Sequence, residues 1–510
     1  MNSRSVGLAR FVGGTVVACL LGGLLGSCYA GQTAMGPARD PSGERRDVVL
    51  ATGAEPVNLD FTTTSGAAIP QLLMNNVYET LVKIGQNGEI EPLLAQSWTI
   101  SDDLLTYDFE LVPGVAFSDG RPFTAADVVA SFDRTREWIN PRGSAMDIVA
   151  VTEAISDTLV RVTLKAPSNQ WLFTLGTAPG AIFPASLDFD LSTTAVGTGP
   201  YEVVDVSPGT HVALAARSDY WGEPPGVDMV TIRYFVDTTA AVNGLLAGDI
   251  DMTLNLTTGD QARELEGAPG LQVLVGTSTG EVLWSFNNRV APFTDLRVRQ
   301  AFAHAIDRAA INDAVTAGYG TLIGAMVTPQ DPFFENLFDI YPYDPERARE
   351  LLAEAGATNL KVAFDLPNLP YATAAAEIMQ SYLAAVGVAS TINVLEFPAV
   401  WLERVFLGHD FDMSIIMHSE ARDLLTVFGN PDGYVGYDNP AVMEQAALAD
   451  AGTFDQWVAG MRAVVRMIMA DCPAVVLYLA PTLTVANVNL AGIQSNGVTE
   501  SWDLTELRWQ

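Results

Sequence analysis

The chain has 510 residues, 49% of them hydrophobic and 9% aromatic, enough to bury more than one core and to predict two or three domains of ~100–200 residues each. Sixty acidic residues against 27 basic ones give a formal charge of −33, which excludes the broad positive surface that nucleic-acid binding requires. Such acidity is either a solvated surface or an aid in attracting a cationic ligand, and three cysteines, Cys19, Cys28 and Cys472, build no zinc or disulfide framework.

The first element is a leader. Arg4 and Arg10 precede an apolar, glycine-broken run over 11–27, shorter than the ~20 residues of a membrane-spanning helix, so 1–28 reads as a secretory signal peptide. Leu25-Gly26-Ser27-Cys28 is similar to the lipobox of bacterial lipoproteins, in which Cys28 would carry the lipid. Cleavage after Ala30 and an uncleaved anchor are the alternatives. Residues 29–46 are polar and read as a flexible tether, so the folded body is expected outside the cytoplasmic membrane, anchored to its outer face or free in the periplasm.

Residues 47–52, DVVLAT, predict a first strand. After a polar loop, Leu73, Val77 and Leu81 recur at four-residue spacing and predict a helix. Two strands flank Asp102-Asp103, the second with Tyr107, Phe109 and Leu111 alternating with polar residues. Ser118-Asp119-Gly120 is a turn, and Thr124 with Asp127 makes a capping box for a helix carrying Val128, Val129 and Phe132. Gly197-Thr198-Gly199-Pro200-Tyr201 lacks the third glycine and the lysine of nucleotide loops and reads as a tight turn feeding a strand.

Residues 281–308 give an apolar extended run, a turn around Asn287, Asn288 and Pro292, and a long amphipathic helix beginning near Asp295. With α/β patterning on either side, this single connection is where a bilobal protein would place its hinge, with a ligand cleft beside it. Downstream, Asp344-Pro345 caps a helix whose apolar face is Ala348, Leu351, Leu352 and Ala355, closed by Gly356. A strand over 360–366, a helix over 371–386, a strand over 388–397, a helix near 399–406 and a strand over 411–417 follow, with tail strands over 474–479 and 483–487. Alternation of this kind predicts helices packed on a sheet.

The strand over 411–417 runs into His418-Ser419-Glu420-Ala421-Arg422-Asp423. Open α/β sheets bind ligands beyond the carboxyl ends of their strands, and an amine in a water-poor cleft must be matched by an opposite charge. Glu420 and Asp423 are therefore candidates for a ligand's ammonium, and His418 and Arg422 for a carboxylate; the same residues could instead cap the strand or pair with one another. Trp284 and Asn287 border the expected hinge, where Trp284 could stack on a ligand or pack in the core. Tyr434 lies in a turn-rich loop and either touches ligand or packs at the surface, and the loop over 62–67 is a candidate from the first lobe. His304 is expected in the core, with His211 and His409 in turns; their spacing offers no metal site. No nucleophile elbow is present, so no catalytic residue and no cofactor is expected.

Several ordered motifs carry a resemblance. Gly-x-Ile-x-Pro-x-Leu-Ala-x-Ser-Trp over 88–98, Asp-Gly-Arg-Pro-Phe-Thr-Ala-x-Asp-Val over 119–128, Gly-Thr-Gly-Pro-Tyr over 197–201, Asp219-Tyr220-Trp221-Gly222, and Asn287, Pro292-Phe293, Asp295, Val298-Arg299 and Ala305-Ile306-Asp307-Arg308 resemble the bacterial extracellular solute-binding protein family 5. That family includes the oligopeptide-, dipeptide- and nickel-binding components of ABC importers, and the resemblance spans nearly the whole mature chain. It implies a class II periplasmic-binding-protein fold: a lobe I core of 47–78, 196–282 and 484–510, an inserted subdomain over 79–195, and lobe II over 283–483, with the tail recrossing the hinge. It also implies a monomeric, lipid-anchored receptor that closes around a solute, a di- or oligopeptide foremost, and delivers it to membrane permease subunits served by a separate ATPase. The loop after 411–417 would line the pocket, where peptide binders of the family use an acidic residue; this chain lacks the tryptophan and the Asp-x-x-Asp-Pro of the commoner loop. The alternatives are a nickel chelate with a small carboxylate carrier, ligated directly by His418, an exported hydrolase, or an adhesive surface lipoprotein.

Overall fold

The computed structural model describes residues 45–510 apart from positions 65, 255 and 257. The leader, the Cys28 motif and most of the tether lie outside the described residues.

One mixed sheet runs through both lobes. Its strands, in chain order, are β1 (Asp47–Thr52), β2 (Tyr201–Ser207), β3 (His211–Ala216), β4 (Met229–Tyr234), β5 (Met252–Thr253), β6 (Leu271–Phe286), β7 (Lys361–Pro367), β8 (Ala389–Leu395), β9 (Met413–His418) and β10 (Ala474–Asn487). They lie side by side as β8-β7-β9-β6-β10-β5-β1-β4-β3-β2. In one lobe β1 runs parallel to β4 and β5; in the other β7 runs parallel to β8 and β9. Because β5 is antiparallel to β10 and β9 antiparallel to β6, the carboxyl ends of both parallel sets face the junction of the lobes.

Two strands make that junction: β6, in the connection singled out from sequence, and β10, the tail that the resemblance implied would recross it. β6 and β10 pair antiparallel from Leu271↔Asn487 to Thr277↔Pro481, lose register, and resume from Glu281↔Leu479 to Ser285↔Ala474. At the slip, Ser278, Thr279 and Gly280 stand against Ala480 alone, a bulge that bends the ladder. The hinge thus precedes the turn at Asn287, and the two tail strands expected from sequence are one continuous β10.

The largest core belongs to lobe II, with Leu283, Trp284, Phe286, Phe302, Phe364 and Met413 at its centre. Lobe I has one core around β1, β2 and β4, including Leu50, Tyr201 and Ile232. A second, over a four-stranded antiparallel sheet, contains Phe109, Phe132, Val162 and Trp171. The capping box expected at Thr124 and Asp127 opens the helix Ala125–Thr135 of this second core.

Two predicted helices differ. The helix Ala68–Leu73 stops where Met74 turns extended and Asn75 adopts φ 63°. Leu73, Val77 and Leu81 are all buried as the spacing implied, but their backbone pairs with a distant segment: Gly199 N donates to Val77 O at 2.9 Å and Tyr201 N to Asn76 O at 2.9 Å. That approach explains the Gly-Thr-Gly-Pro-Tyr motif, since a Cβ on Gly197 would lie 1.9 Å from Val77 O. The helix after Asp295 breaks into Leu296–Ala305, capped by Asp295, and Arg308–Thr316, capped by Asp307. His211 opens β3 instead of lying in a turn, and His304 is only partly buried, with Nδ1 2.8 Å from Pro342 O.

The Asp-Tyr-Trp-Gly motif also has a structural role. Glu79, 1% exposed, accepts from the Tyr220 hydroxyl at 2.8 Å and from Trp221 Nε1 at 3.0 Å. Burial pushes its carboxyl up to about 7 against the lowering effect of these donors.

Candidate functional site at the junction of the lobes

Where the two sets of parallel strands end, they enclose a cavity of about 860 Å³, within the ~300–1,000 Å³ of small-molecule sites. After β5, Leu254, Leu256 and Thr258 line it; after β7, Pro370 and Tyr371; after β9, Ser419 and Glu420. The hinge forms its floor through Ser278, Thr279, Gly280, Ala480 and Pro481. These strands are pinned there by side chains: Ser278 Oγ donates to Ala480 O at 2.6 Å, and Thr279 Oγ1 donates to Ser419 O at 2.6 Å.

The remaining wall is the segment after β10. Ile493, Gln494, Asn496, Thr499, Glu500, Ser501 and Trp502 line the cavity. The fully buried Asn76 fixes this stretch by donating to Trp502 O at 2.7 Å and accepting from Leu504 N at 3.0 Å, while Ser501 Oγ donates to Met74 O at 2.6 Å. Tight contact with the hinge follows from Gly276, where a Cβ would lie 1.8 Å from Ser495 O.

Charge is distributed unequally across the cavity. Arg142, on the lobe I side, lends it a guanidinium whose Nη2 donates to Glu500 Oε1 at 2.5 Å. Its Nη1 is buried and has no hydrogen-bond partner among the described residues. Glu420 faces the cavity from lobe II, exposed and without a hydrogen bond to any described residue. Asp503 is already paired, with Lys83.

Behind Glu420 lies a buried acidic group. Glu281 stands opposite His418 in the β6–β9 ladder. Glu281 and Asp423 are 2% and 6% exposed, and each has one carboxylate oxygen without a hydrogen-bond partner among the described residues. Burial first, and the Asp423 carboxylate next, push Glu281 well above the usual carboxylate range. Burial also raises Asp423, opposed by its bond to His418.

Of the seven side chains named individually from sequence as ligand candidates, Glu420 alone lines the cavity. His418 uses both ring nitrogens internally, Nδ1 at 3.3 Å from Asp423 Oδ2 and Nε2 at 2.9 Å from the Tyr434 hydroxyl. Tyr434 is 3% exposed, beneath Phe406 and His418, neither at the surface nor on the cavity. Arg422 lies 2.9 Å from Asp331 and stacks on Phe173 of the other lobe at 3.6 Å. Trp284 is the centre of the lobe II core, 4.8 Å from Phe286 and 5.9 Å from Phe302, in place of a stacking face. Asn287, 1% exposed, donates to His409 O at 2.9 Å and Phe411 O at 3.0 Å and shapes a turn. From the first-lobe loop over 62–67, Ala67 reaches the wall. Arg142, Glu500 and the wall over 493–502 had no local signal: the arginine follows an ordinary Asn-Pro, and its partner is 358 residues away.

Comparison with known proteins places this geometry. Residues 89–424 match the sequence profile described as bacterial extracellular solute-binding proteins, family 5 Middle. The glutathione-binding protein GsiB of Escherichia coli K12 is 30% identical over 361 residues, 69% of this chain and 70% of the relative. Among solved structures, the periplasmic binding protein DppA from Helicobacter pylori in complex with peptide STSA is similar at TM-score 0.76 and 24% identity, over 91% of this chain and 98% of that one. NikZ from Campylobacter jejuni in complex with Ni(L-His) is similar at TM-score 0.75 and 22% identity, over 91% and 99%.

Proposed function

The chain belongs to the bacterial extracellular solute-binding proteins of family 5, and from that premise we propose that it is the receptor of an ABC importer whose solute is a short peptide. The observation that carries the solute class is the cavity between the lobes, with the guanidinium of Arg142 on one wall and the carboxylate of Glu420 on the other. A zwitterion presents the complementary pair: its ammonium goes to Glu420 and its carboxylate to Arg142. A cavity of about 860 Å³ accommodates a few residues, and its apolar positions, Leu254, Leu256, Tyr371 and Trp502, receive side chains.

Binding draws the lobes together about the slip in β6 and β10. A solute that touches Glu420 and Arg142 at once contacts both lobes only when they are closed, and this differential contact shifts the population. The closed form is then read by permease subunits, and the transport energy comes from a separate ATPase. The receptor binds without turnover. A lipid on Cys28 holds it at the membrane as a monomer; among the described residues no helix is long and apolar enough to cross a membrane. A metal chelate ligated by His418 is disfavoured, because both nitrogens of that ring are engaged.

Titration calorimetry with reduced glutathione and a panel of di- and tripeptides tests the reading, with chromatography of the recovered solute. One-to-one binding with the peptide returned intact is expected. Affinity confined to nickel–histidine, or cleavage of the peptide, would replace it.

A further inference from the structure

The lobes also meet at a place that takes no part in the cavity. Asn169 and Gln170 lead into the short helix Trp171–Thr174, whose Trp171 is rooted in the subdomain core of lobe I. Asp450 ends the helix Pro440–Asp450, whose Ala449 is rooted in the core of lobe II. Asn169 N donates to Asp450 Oδ1 at 2.8 Å, and Gln170 N to the same oxygen at 3.3 Å. In return, Asn169 Nδ2 donates to Asp450 O at 2.9 Å and Gly452 O at 2.8 Å.

Each lobe therefore satisfies groups that the other leaves open. The first N–H and last C=O groups of a helix have no partner within it, and Gln170 provides no side-chain cap of its own. A carboxylate at the last residue of a helix opposes the macrodipole, so Asp450 is unfavourable within lobe II alone and acquires its partners from lobe I. The same short helix carries Phe173, on which Arg422 stacks at 3.6 Å. Arg422 is two residues from Glu420, so this helix meets the loop that faces the solute.

We propose that Asn169 and Asp450 form a clasp that holds the closed form: they are positioning residues that raise solute retention without touching solute. The clasp is intact only when the lobes are together, so whatever weakens it shifts the population toward the open form. This rests on hinge closure and not on the identity of the solute, so a failed peptide titration leaves it standing.

The test uses the full chain, both as purified and after unfolding and refolding to strip bound solute. Hydrogen exchange is followed over 169–175 and 446–453, with solution scattering and thermal melting on the same samples. Asn169→Asp places a second carboxylate against Asp450 and removes two donors. It should speed exchange in both segments together by ten-fold or more and enlarge the scattering radius, and Asp450→Asn added to it should recover part of the change. Asn169→Ala, which adds no charge, should shift both readouts in the same direction by less, with the thermal midpoint nearly unchanged. Exchange and scattering identical to the parent in both variants and both sample states would overturn the proposal, as would a lowered midpoint with no opening.

Discussion

Glu420 and Arg142 reach the cavity from opposite lobes, and each should be felt separately. Glu420→Gln is expected to weaken binding of an amine-bearing solute by about 1–3 kcal/mol, the scale of a charge-assisted hydrogen bond. Arg142→Ala should erase the difference in calorimetric affinity between a peptide and its carboxyl-terminal amide, and Arg142→Lys should restore it poorly, because an ammonium cannot serve Glu500 and a solute in the same planar geometry. Glu79 makes a different prediction. Its carboxyl titrates near 7 in the folded protein and near its ordinary value when unfolded, so the folded state holds the extra proton between about 4.5 and 7. Stability from this group is full below that window and declines by about 3 kcal/mol as pH rises through it. Denaturant melts of Glu79→Gln against the parent at pH 4.5 and 7.5 measure the difference, and the variant should show the shallower slope. Glu420 was legible in the sequence because it follows an apolar strand directly. Arg142 was not, since its meaning comes from Glu500, 358 residues on.

Elements whose signals are local were legible as well. The capping box at Thr124 and Asp127 and the Asp344-Pro345 helix start both stand as read, because a few adjacent residues decide them. The helix read through 73–81 was displaced by pairing with residues 199–201, a contact that no short window contains. The hinge followed the same logic: the apolar run over 282–286 was recognisable, yet the bend lies just before it, where Ser278, Thr279 and Gly280 oppose one residue of β10. Gly276→Val tests that element. Its side chain would collide with Ser495 O, 1.8 Å from an ideal Cβ, and should lower stability by about 1–3 kcal/mol, as overpacking does, while displacing the wall over 493–502 and weakening solute binding in calorimetry. Gly280→Ala should be milder, since the nearest atom is Met417 Sδ at 2.9 Å, the far end of a flexible side chain.

Across the whole molecule, bilobal architecture and receptor class were readable from ordered motifs spread along the chain, whereas the solute-facing surface was not, because it is assembled from segments hundreds of residues apart. A formal charge of −33 repels itself in the compact state. Raising sodium chloride from 10 mM to 300 mM should therefore raise the thermal midpoint, measurable by calorimetry; a flat or falling midpoint would show that local ion pairs outweigh the overall field. The wall over 493–502 has a consequence in time. A ribosome that still holds those residues holds one side of the cavity, so the pocket is incomplete until they have emerged and docked on Met74 and Asn76, the latter made 426 residues before Trp502. Capture in a complete cavity therefore waits for residues 493–502, however early the strands of both lobes have paired.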